Sequence, residues 1–130
     1  MPEKNYSCPK TWLLNQRKCY WFLTSPKTWN KSQYDCISLY SHLLVIQTWS
    51  ELEFIQENVK PGHPAWIGLH ISAVQGNQWI WIDEHPFVEQ NSFPIIGPTN
   101  NMSCAVITGR QVYSEDCNSR FIGICQKEAA

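Results

Sequence analysis

Six cysteines constrain the fold of this 130-residue chain more than any other feature. The set is even, and no two cysteines have the C-x-x-C spacing that zinc ribbons and thioredoxin-like redox sites use. Such a set predicts a disulfide framework formed in an oxidising compartment. The cysteine count alone leaves fifteen pairings open. The positions are Cys8, Cys19, Cys36, Cys104, Cys117 and Cys125.

Composition indicates one globular domain. The chain is 43% hydrophobic and contains seven Trp, five Tyr and five Phe, which excludes a disordered chain and allows a real core. Its net charge of -1 provides no general attraction to nucleic acid or to an acidic membrane. No uninterrupted apolar stretch approaches the ~20 residues of a membrane span. We expect residues 1–7 to be a stalk remnant or tail and residues 8–128 to be the domain.

An oxidising compartment requires a signal peptide or a membrane anchor, and the polar start Met1-Pro2-Glu3-Lys4 is neither. We therefore interpret the chain as an expressed ectodomain with an added start methionine, whose anchor lies outside this sequence.

Local patterns in the first half predict a short hairpin followed by two helices. The first helix is expected to begin after Thr28 and to run to about Leu39 or Tyr40. Trp29, Cys36 and Tyr40 then share one side of that helix, facing the core.

A short buried strand is predicted at residues 43–46, before the second helix. Two capping boxes compete for the start of that helix: Thr48 with Glu51, and Ser50 with Glu53. Leu52, Ile55 and Val59 form its apolar face, and Lys60-Pro61-Gly62 ends it.

The second half predicts β-structure, which makes the chain α+β. Strands are expected at residues 66–69, 79–82, 104–107, 112–113 and 121–125, with a hairpin tip at residues 108–111. Residues 83–103 have little pattern, and loops of this length are usually functional or disordered. Two interpretations of the loop's apolar residues stay open: they dock the loop onto the domain, or they form an exposed anchor for a partner. These residues are Phe87, Phe93, Ile95 and Ile96.

The cysteine spacing, the Trp-Ile-Gly-Leu strand at residues 66–69 and the Trp-x-Trp-x-Asp strand at residues 79–83 resemble long-form C-type lectin-like domains. The resemblance covers about residues 8–127. It implies a long-form C-type lectin-like fold with two helices and two small antiparallel sheets. It also implies the disulfides Cys8–Cys19, Cys36–Cys125 and Cys104–Cys117.

The chain departs from the sugar-binding members of that family. Neither Glu-Pro-Asn nor Gln-Pro-Asp occurs between Asp83 and Cys104, and Val112-Tyr113-Ser114 stands where those members have Trp-Asn-Asp. Calcium needs about six to eight oxygen ligands, so we expect no calcium site. The four histidines have no ligand spacing, and no nucleophile has a recognisable base. We expect no metal, no cofactor and no enzyme activity.

The stretches at residues 36–39, 46–58 and 113–117 resemble subfamily F of the killer-cell lectin-like receptors. This implies a type II plasma-membrane protein of natural killer cells with activating signalling. Its ligands are then C-type lectin-like proteins on another cell, of which one is keratinocyte-associated. A carbohydrate-binding lectin and a structural or inhibitory disulfide domain are the alternatives. The oligomeric state is left open.

We expect the long loop and the adjacent hairpin to contact the ligand. Residues 83–117 contain five acids and one base, a charge of -4, whereas residues 1–40 contain six bases and two acids, a charge of +4. An acidic contact face would steer a basic partner, although scattered solvated charges are the simpler explanation. The candidate contact residues are Glu84, His85, Phe87, Glu89, Arg110, Gln111, Tyr113 and Glu115. Asn5, Asn30 and Asn101 are candidate glycosylation sites in N-x-[ST] sequons.

Overall fold

The structure, a computed structural model, describes residues 5–74, 76–88 and 92–130. Within these ranges the chain forms two helices and nine strands, and the predicted α+β class is confirmed. The elements are β1 (Leu13–Asn15), β2 (Lys18–Phe22), α1 (Trp29–Ser38), β3 (His42–Leu43), α2 (Trp49–Asn58), β4 (Ala65–Ser72), β5 (Gln78–Trp81), β6 (Ile95–Ile96), β7 (Ser103–Ile107), β8 (Val112–Asp116) and β9 (Ile122–Glu128).

The strands form two largely antiparallel parts that are joined into one mixed sheet. In the first part, β2 and β3 both pair with β9, and β1 pairs with β2. In the second part, β4 lies between β5 and β7, and β8 follows β7. The parts join where β9 runs parallel to β4, at Ala65 and Trp66. The two predicted sheets are therefore continuous, and β6 adds a second parallel pair at the edge of β8.

The helices lie on opposite faces of this sheet, each over its own core. Leu52 and Ile55 of α2, and Val59 directly after it, pack with Ile67 and Leu69 of β4, which we call the α2-side core. Trp29 and Cys36 of α1 pack with Trp66 of β4 and Val106 of β7, the α1-side core. The alternation of side chains along β4 supplies both cores. This explains why the strand at residues 66–69 is apolar at consecutive positions.

Gly68 is required where that strand crosses the segment after β3. Its backbone N–H donates to the carbonyl of Leu44 at 2.7 Å. A Cβ at residue 68 would lie 2.8 Å from that same oxygen. The glycine therefore allows the close approach of two backbones that builds the middle of the domain.

The three disulfides pair as the resemblance implied: Cys8–Cys19, Cys36–Cys125 and Cys104–Cys117. The second joins α1 to β9 across a sequence separation of 89 residues. The third joins the start of β7 to the end of β8. The bridges thus fix both parts of the sheet.

Helix α1 begins as predicted but ends earlier. The Thr28 hydroxyl accepts from the backbone N–H of Lys31 at 3.3 Å, so Thr28 is the N-cap. The helix ends at Ser38, where Ser41 donates from its backbone N–H and its hydroxyl to the carbonyl of Cys36. Tyr40 is 90% exposed with a φ of 59°. The prediction that Tyr40 faces the core is wrong, because this left-handed turn rotates it outward.

The strand predicted at residues 43–46 is buried throughout, yet only its first residue belongs to a strand, β3. The Gln126 side chain replaces the missing ladder partner. Its amide oxygen accepts from Val45 N–H, and its amide nitrogen donates to the Val45 carbonyl, each at 3.1 Å. A side-chain amide therefore satisfies this buried backbone.

Candidate protein-contact surface

The first part of the long loop folds back on β5 as a second hairpin. Trp81 N–H donates to the carbonyl of His85 at 3.0 Å, and Phe87 N–H donates to the carbonyl of Trp79 at 3.2 Å. Glu84, with a φ of 73°, and His85 lie exposed at its tip. The segment that appeared patternless is thus partly ordered by backbone pairing.

Asp83 and His85 contact each other at this tip, with 2.9 Å between Oδ2 and Nδ1. Partial burial acts to raise the pKa of the Asp83 carboxyl. Hydrogen bonds from the His85 side chain and backbone outweigh that effect and hold the pKa below its usual value. The Asp83 charge is therefore engaged locally.

The loop is anchored by three aromatic rings, Trp81, Phe87 and Phe93. Their centroids lie 5.2 to 6.4 Å apart, in tilted and edge-to-face arrangements. Phe93 is 6% exposed, and Phe87 packs against the α2-side core. Docking of the loop is therefore the correct interpretation for these rings. Ile96 differs, because half of its surface remains exposed.

Tyr113 lies on β8, across the sheet from the β5 hairpin. Its Cα pairs with Val106 on β7 and with Ile96 on β6, and its ring packs against the α1-side core. Burial and the nearby Glu115 carboxylate both raise the pKa of the Tyr113 hydroxyl, so the phenol stays neutral at physiological pH. Ile96, Tyr113 and Glu115 project from the same side of this edge, and we call them the β8 edge surface.

The turn between β7 and β8 presents Arg110 and Gln111, both exposed. Thr108 closes the turn, since its hydroxyl accepts from both backbone N–H groups, at 3.2 and 3.1 Å. The Gln56 side chain on α2 donates to the carbonyl of Thr108 at 3.1 Å. The turn is thus fixed to the domain and holds its two side chains outward.

The candidate residues do not form one cluster. Ile80, His70, Cys104 and Glu115 make one row across four strands. Three strand spacings of about 4.8 Å therefore separate the β5 hairpin from β8, or about 14 Å. Phe87 packs on the α2 side of the sheet and Tyr113 on the α1 side. The acids near the tip, Asp83 and Glu84, are likewise separate from Glu115 and Asp116 on β8. Glu89 lies outside the described residues.

Ser114, which stands where the sugar-binding members have the last residue of Trp-Asn-Asp, does not face solvent. Ser114 is buried on the α2 side of β8, where a Cβ on Gly97 would lie 2.6 Å from its hydroxyl. Its oxygen therefore points away from solvent. Within residues 5–74, 76–88 and 92–130, no three His, Cys, Asp or Glu side chains are grouped so as to hold a metal ion.

The family model described as Lectin C-type domain matches residues 25–127. The chain belongs to the C-type lectin domain family. The three disulfides and the mixed sheet between two helices are the corresponding fold, and the expectation drawn from the cysteine spacing and the Trp-Ile-Gly-Leu strand is confirmed. The family is one of lectin domains and is not enzymatic.

Within the family, the C-type lectin domain groups with killer cell lectin-like receptor subfamily F. It is 62% identical to human killer cell lectin-like receptor subfamily F member 2 over 125 residues, 96% of this chain and 59% of that relative. It is 40% identical to human subfamily F member 1 over 124 residues, 95% of this chain and 53% of that relative. The chain thus spans a little over half the length of these curated relatives.

A solved structure shows the same fold in a relative that is bound to a glycan. The C-type lectin domain of murine dendritic cell inhibitory receptor 2, in complex with N-glycan, superposes with a TM-score of 0.83 at 29% identity. The match covers 94% of this chain and 99% of that chain.

In the described ranges of the present chain, no helix is long and apolar enough to cross a membrane.

Ile96 is the loop residue for which the exposed-anchor interpretation stays open, although it was not among the eight candidate contact residues. It stands directly beside Tyr113 across a parallel pair, half exposed. The signal in the sequence was an Ile-Ile pair in a loop that contains three prolines and one glycine. Side-chain alternation then directs Ile95 into the α2-side core and Ile96 outward.

Proposed function

We propose that this chain is the ligand-binding ectodomain of a natural killer cell surface receptor. It recognises a C-type lectin-like protein on another cell, of the keratinocyte-associated kind, by protein–protein contact. The observation that carries this proposal is the 62% identity to subfamily F member 2 over 96% of the chain. Activating signalling, a type II membrane anchor and a plasma-membrane location belong to the same proposal and depend on segments outside this chain.

The proposed domain spans residues 8–128, with residues 1–7 as the stalk remnant. In support, the backbone groups of Ser7 and Ala130 exchange two hydrogen bonds of 3.1 and 3.0 Å. The two ends of the domain therefore lie together, and this order reaches slightly beyond both proposed boundaries. A stalk that precedes residue 8 would join the domain at this point and leave the β8 edge surface free, because β4 and β7 lie between β9 and β8.

We place the contact at the β8 edge surface, with Arg110 and Gln111 at its turn and the tip at Glu84 and His85 beside it. A standard interface buries about 800 Å² per partner, a patch about 32 Å across. The ~14 Å across the strands from β5 to β8 fits within that width. Phe87 contributes indirectly, because its ring holds the loop to Trp81.

Surface plasmon resonance with the keratinocyte-associated lectin-like protein as analyte tests the proposal. We expect specific, saturable binding by the intact chain. Tyr113→Ala should weaken binding at least about tenfold, because half-buried tyrosines at interfaces are frequent hot spots. Tyr40→Ala is the matched control, since Tyr40 is more exposed but lies at the end of α1. No binding at high concentration would refute the ligand assignment, and equal affinity of the Tyr113 variant would refute the contact site.

Carbohydrate binding is the alternative, favoured by the likeness to a domain solved in complex with N-glycan. Thermal melting with calcium and with glycans separates the two functions. A ligand that binds the native state raises Tm by mass action. We expect no shift in Tm with calcium, either alone or together with soluble glycans. A reproducible, saturable rise in Tm would favour the lectin function.

A further inference from the structure

We propose that Asn30 carries an N-linked glycan that covers an exposed apolar stripe, Tyr34 and Ile37, on helix α1. This inference concerns a modification and does not depend on which ligand the receptor binds. It requires only passage through the secretory compartment, where the three disulfides also form.

The stripe lies on the same face as the sequon. Tyr34 is 62% exposed and Ile37 is 55% exposed, on a helix whose buried face consists of Trp29, Ser32 and Cys36. Asn30, Tyr34 and Ile37 are spaced i, i+4 and i+7, so they are successive neighbours along one side of α1. The Asn30 side chain is itself exposed. A glycan on Asn30 therefore begins one helical turn from the tyrosine.

Side-chain direction brings the two groups together. Helical side chains lean toward the helix amino terminus, so the Tyr34 ring extends back over the turn that carries Asn30. Lys31 Nζ lies 4.7 Å from the ring centroid and restrains the ring from its other neighbouring position. The apolar C–H face of a sugar ring can then pack against the tyrosine. Ile37, one turn further, is shielded by the same arrangement.

Ser32, the hydroxyl residue of this sequon, is consistent with the assignment. Its side chain is fully buried, and in the described part of the chain its hydroxyl has no hydrogen-bond partner. A buried, unpaired hydroxyl destabilises a fold relative to an apolar group of the same size. A small residue is needed there, since a Cβ on Gly123 would lie 3.0 Å from the Ser32 Cβ. Alanine satisfies that need, whereas only a hydroxyl completes the sequon.

The sequon at Asn101 shows the contrast. Its hydroxyl residue, Ser103, is also buried, but it donates to the Pro98 carbonyl and accepts from the Asn100 N–H, each at 3.2 Å. These two hydrogen bonds give the Ser103 hydroxyl a structural role in the folded state. The Ser32 hydroxyl has no hydrogen-bond partner in the described residues, as is also true of Ser114 outside any sequon. It therefore fits glycan transfer to Asn30 before folding without by itself requiring it.

The first experiment uses the full chain secreted from mammalian cells. Peptide mass spectrometry measures occupancy of Asn30, and hydroxyl-radical footprinting compares the parent with Asn30→Gln. We expect Asn30 to be occupied, and labelling of Tyr34 and Ile37 to rise several-fold in the variant. Labelling of Tyr40, which is exposed outside the stripe, should stay constant. An unoccupied Asn30, or unchanged labelling of Tyr34, would overturn the proposal.

The second experiment tests the Ser32 argument without the glycan, in protein refolded from bacteria. Ser32→Ala should leave Tm unchanged or raise it, because it removes only an unpaired hydroxyl. Ser103→Ala is the matched control and should lower Tm, because it breaks two hydrogen bonds. A fall in Tm for Ser32→Ala as large as that for Ser103→Ala would show a structural role for the hydroxyl and overturn the proposal.

Discussion

Gln126 on β9 donates a hydrogen bond of 2.6 Å to the carboxylate of Glu51 on α2, and both side chains are buried. The same carboxylate accepts from the Tyr20 hydroxyl on β2 and, at 2.8 Å, from the Gln47 N–H. Lys18 Nζ lies 3.6 Å away. One buried acid therefore ties α2 to the first part of the sheet. Burial, together with the hydrogen bond to Glu51, raises the pKa of Tyr20 far above its usual value, so Tyr20 remains a donor.

Glu51→Gln should lower the free energy of unfolding by about 2–3 kcal/mol, since an amide N–H₂ would face the donors on Tyr20 or Gln126 and Lys18 would lose its counter-charge. Urea denaturation measures the change. Glu53→Gln, at an exposed position of the same helix, should change stability by less than about 0.5 kcal/mol. Equal effects for the two variants would contradict the role of Glu51.

Removing Cys36–Cys125 should destabilise the domain more than removing Cys8–Cys19. The loops span 89 and 11 residues. Chain-entropy reasoning then gives about 4.6 and about 2.8 kcal/mol. Paired Cys→Ala variants, compared by denaturant unfolding, test this order. The prediction fails if the Cys8–Cys19 variant is the less stable of the two.

Phe93→Ala should cost about 3 kcal/mol, because it removes a nearly buried ring from the contacts with Trp81 and Phe87. Hydrogen exchange should also accelerate at the backbone amides of Trp81 and Phe87, whose bonds form the loop hairpin. Ile96→Ala, on the exposed side of the same loop, should cost less than about 1 kcal/mol. A comparable loss for Ile96→Ala would mean that Ile96 packs inward.

His70 should make stability depend on pH. Burial lowers the pKa of its imidazole, although a backbone hydrogen bond near Ile71 opposes the shift. The folded state then binds fewer protons than the unfolded state, whose histidine pKa is about 6.5. The stability is complete above that pH and is lost as the pH falls through the folded pKa.

An NMR titration of the His70 ring should give a midpoint below about 6.5. The stability of His70→Gln should decline less steeply than that of the parent as the pH falls from about 7 to 5. A midpoint above the ordinary value, or identical slopes for parent and variant, would disprove the assignment.

The acidic segment leads to a kinetic prediction. If the acids near β5 and on β8 steer a basic ligand, the association rate constant should fall as ionic strength rises, while dissociation changes little. Stopped-flow or surface plasmon resonance at several salt concentrations measures both rates. A salt-independent association rate would leave these acids as locally paired or solvated charges, as the contact of Asp83 with His85 already shows for one of them.

The sequence by itself determined the framework of this protein. The spacing of six cysteines and the Trp-Ile-Gly-Leu strand resembled a known domain family, and that resemblance implied the fold and the disulfide pairing. Thr28 marked the start of α1, and the apolar positions Leu52, Ile55 and Val59 predicted the buried face of α2. The helix start and the apolar helix face depend on local geometry, which short stretches of chain specify, whereas the fold and the pairing followed from the motifs of a family.

Only the tertiary structure decided where the remaining side chains act. It selected the Thr48–Glu51 register over Ser50–Glu53 because Glu51 meets donors from β2 and β9, far away in sequence. It rotated Tyr40 to solvent, docked Phe93 and left Ile96 beside Tyr113. It also divided the expected contact residues between two edges and two faces of one sheet. Sequence order cannot show this division, because strand order and the side-chain partners across it arise from packing.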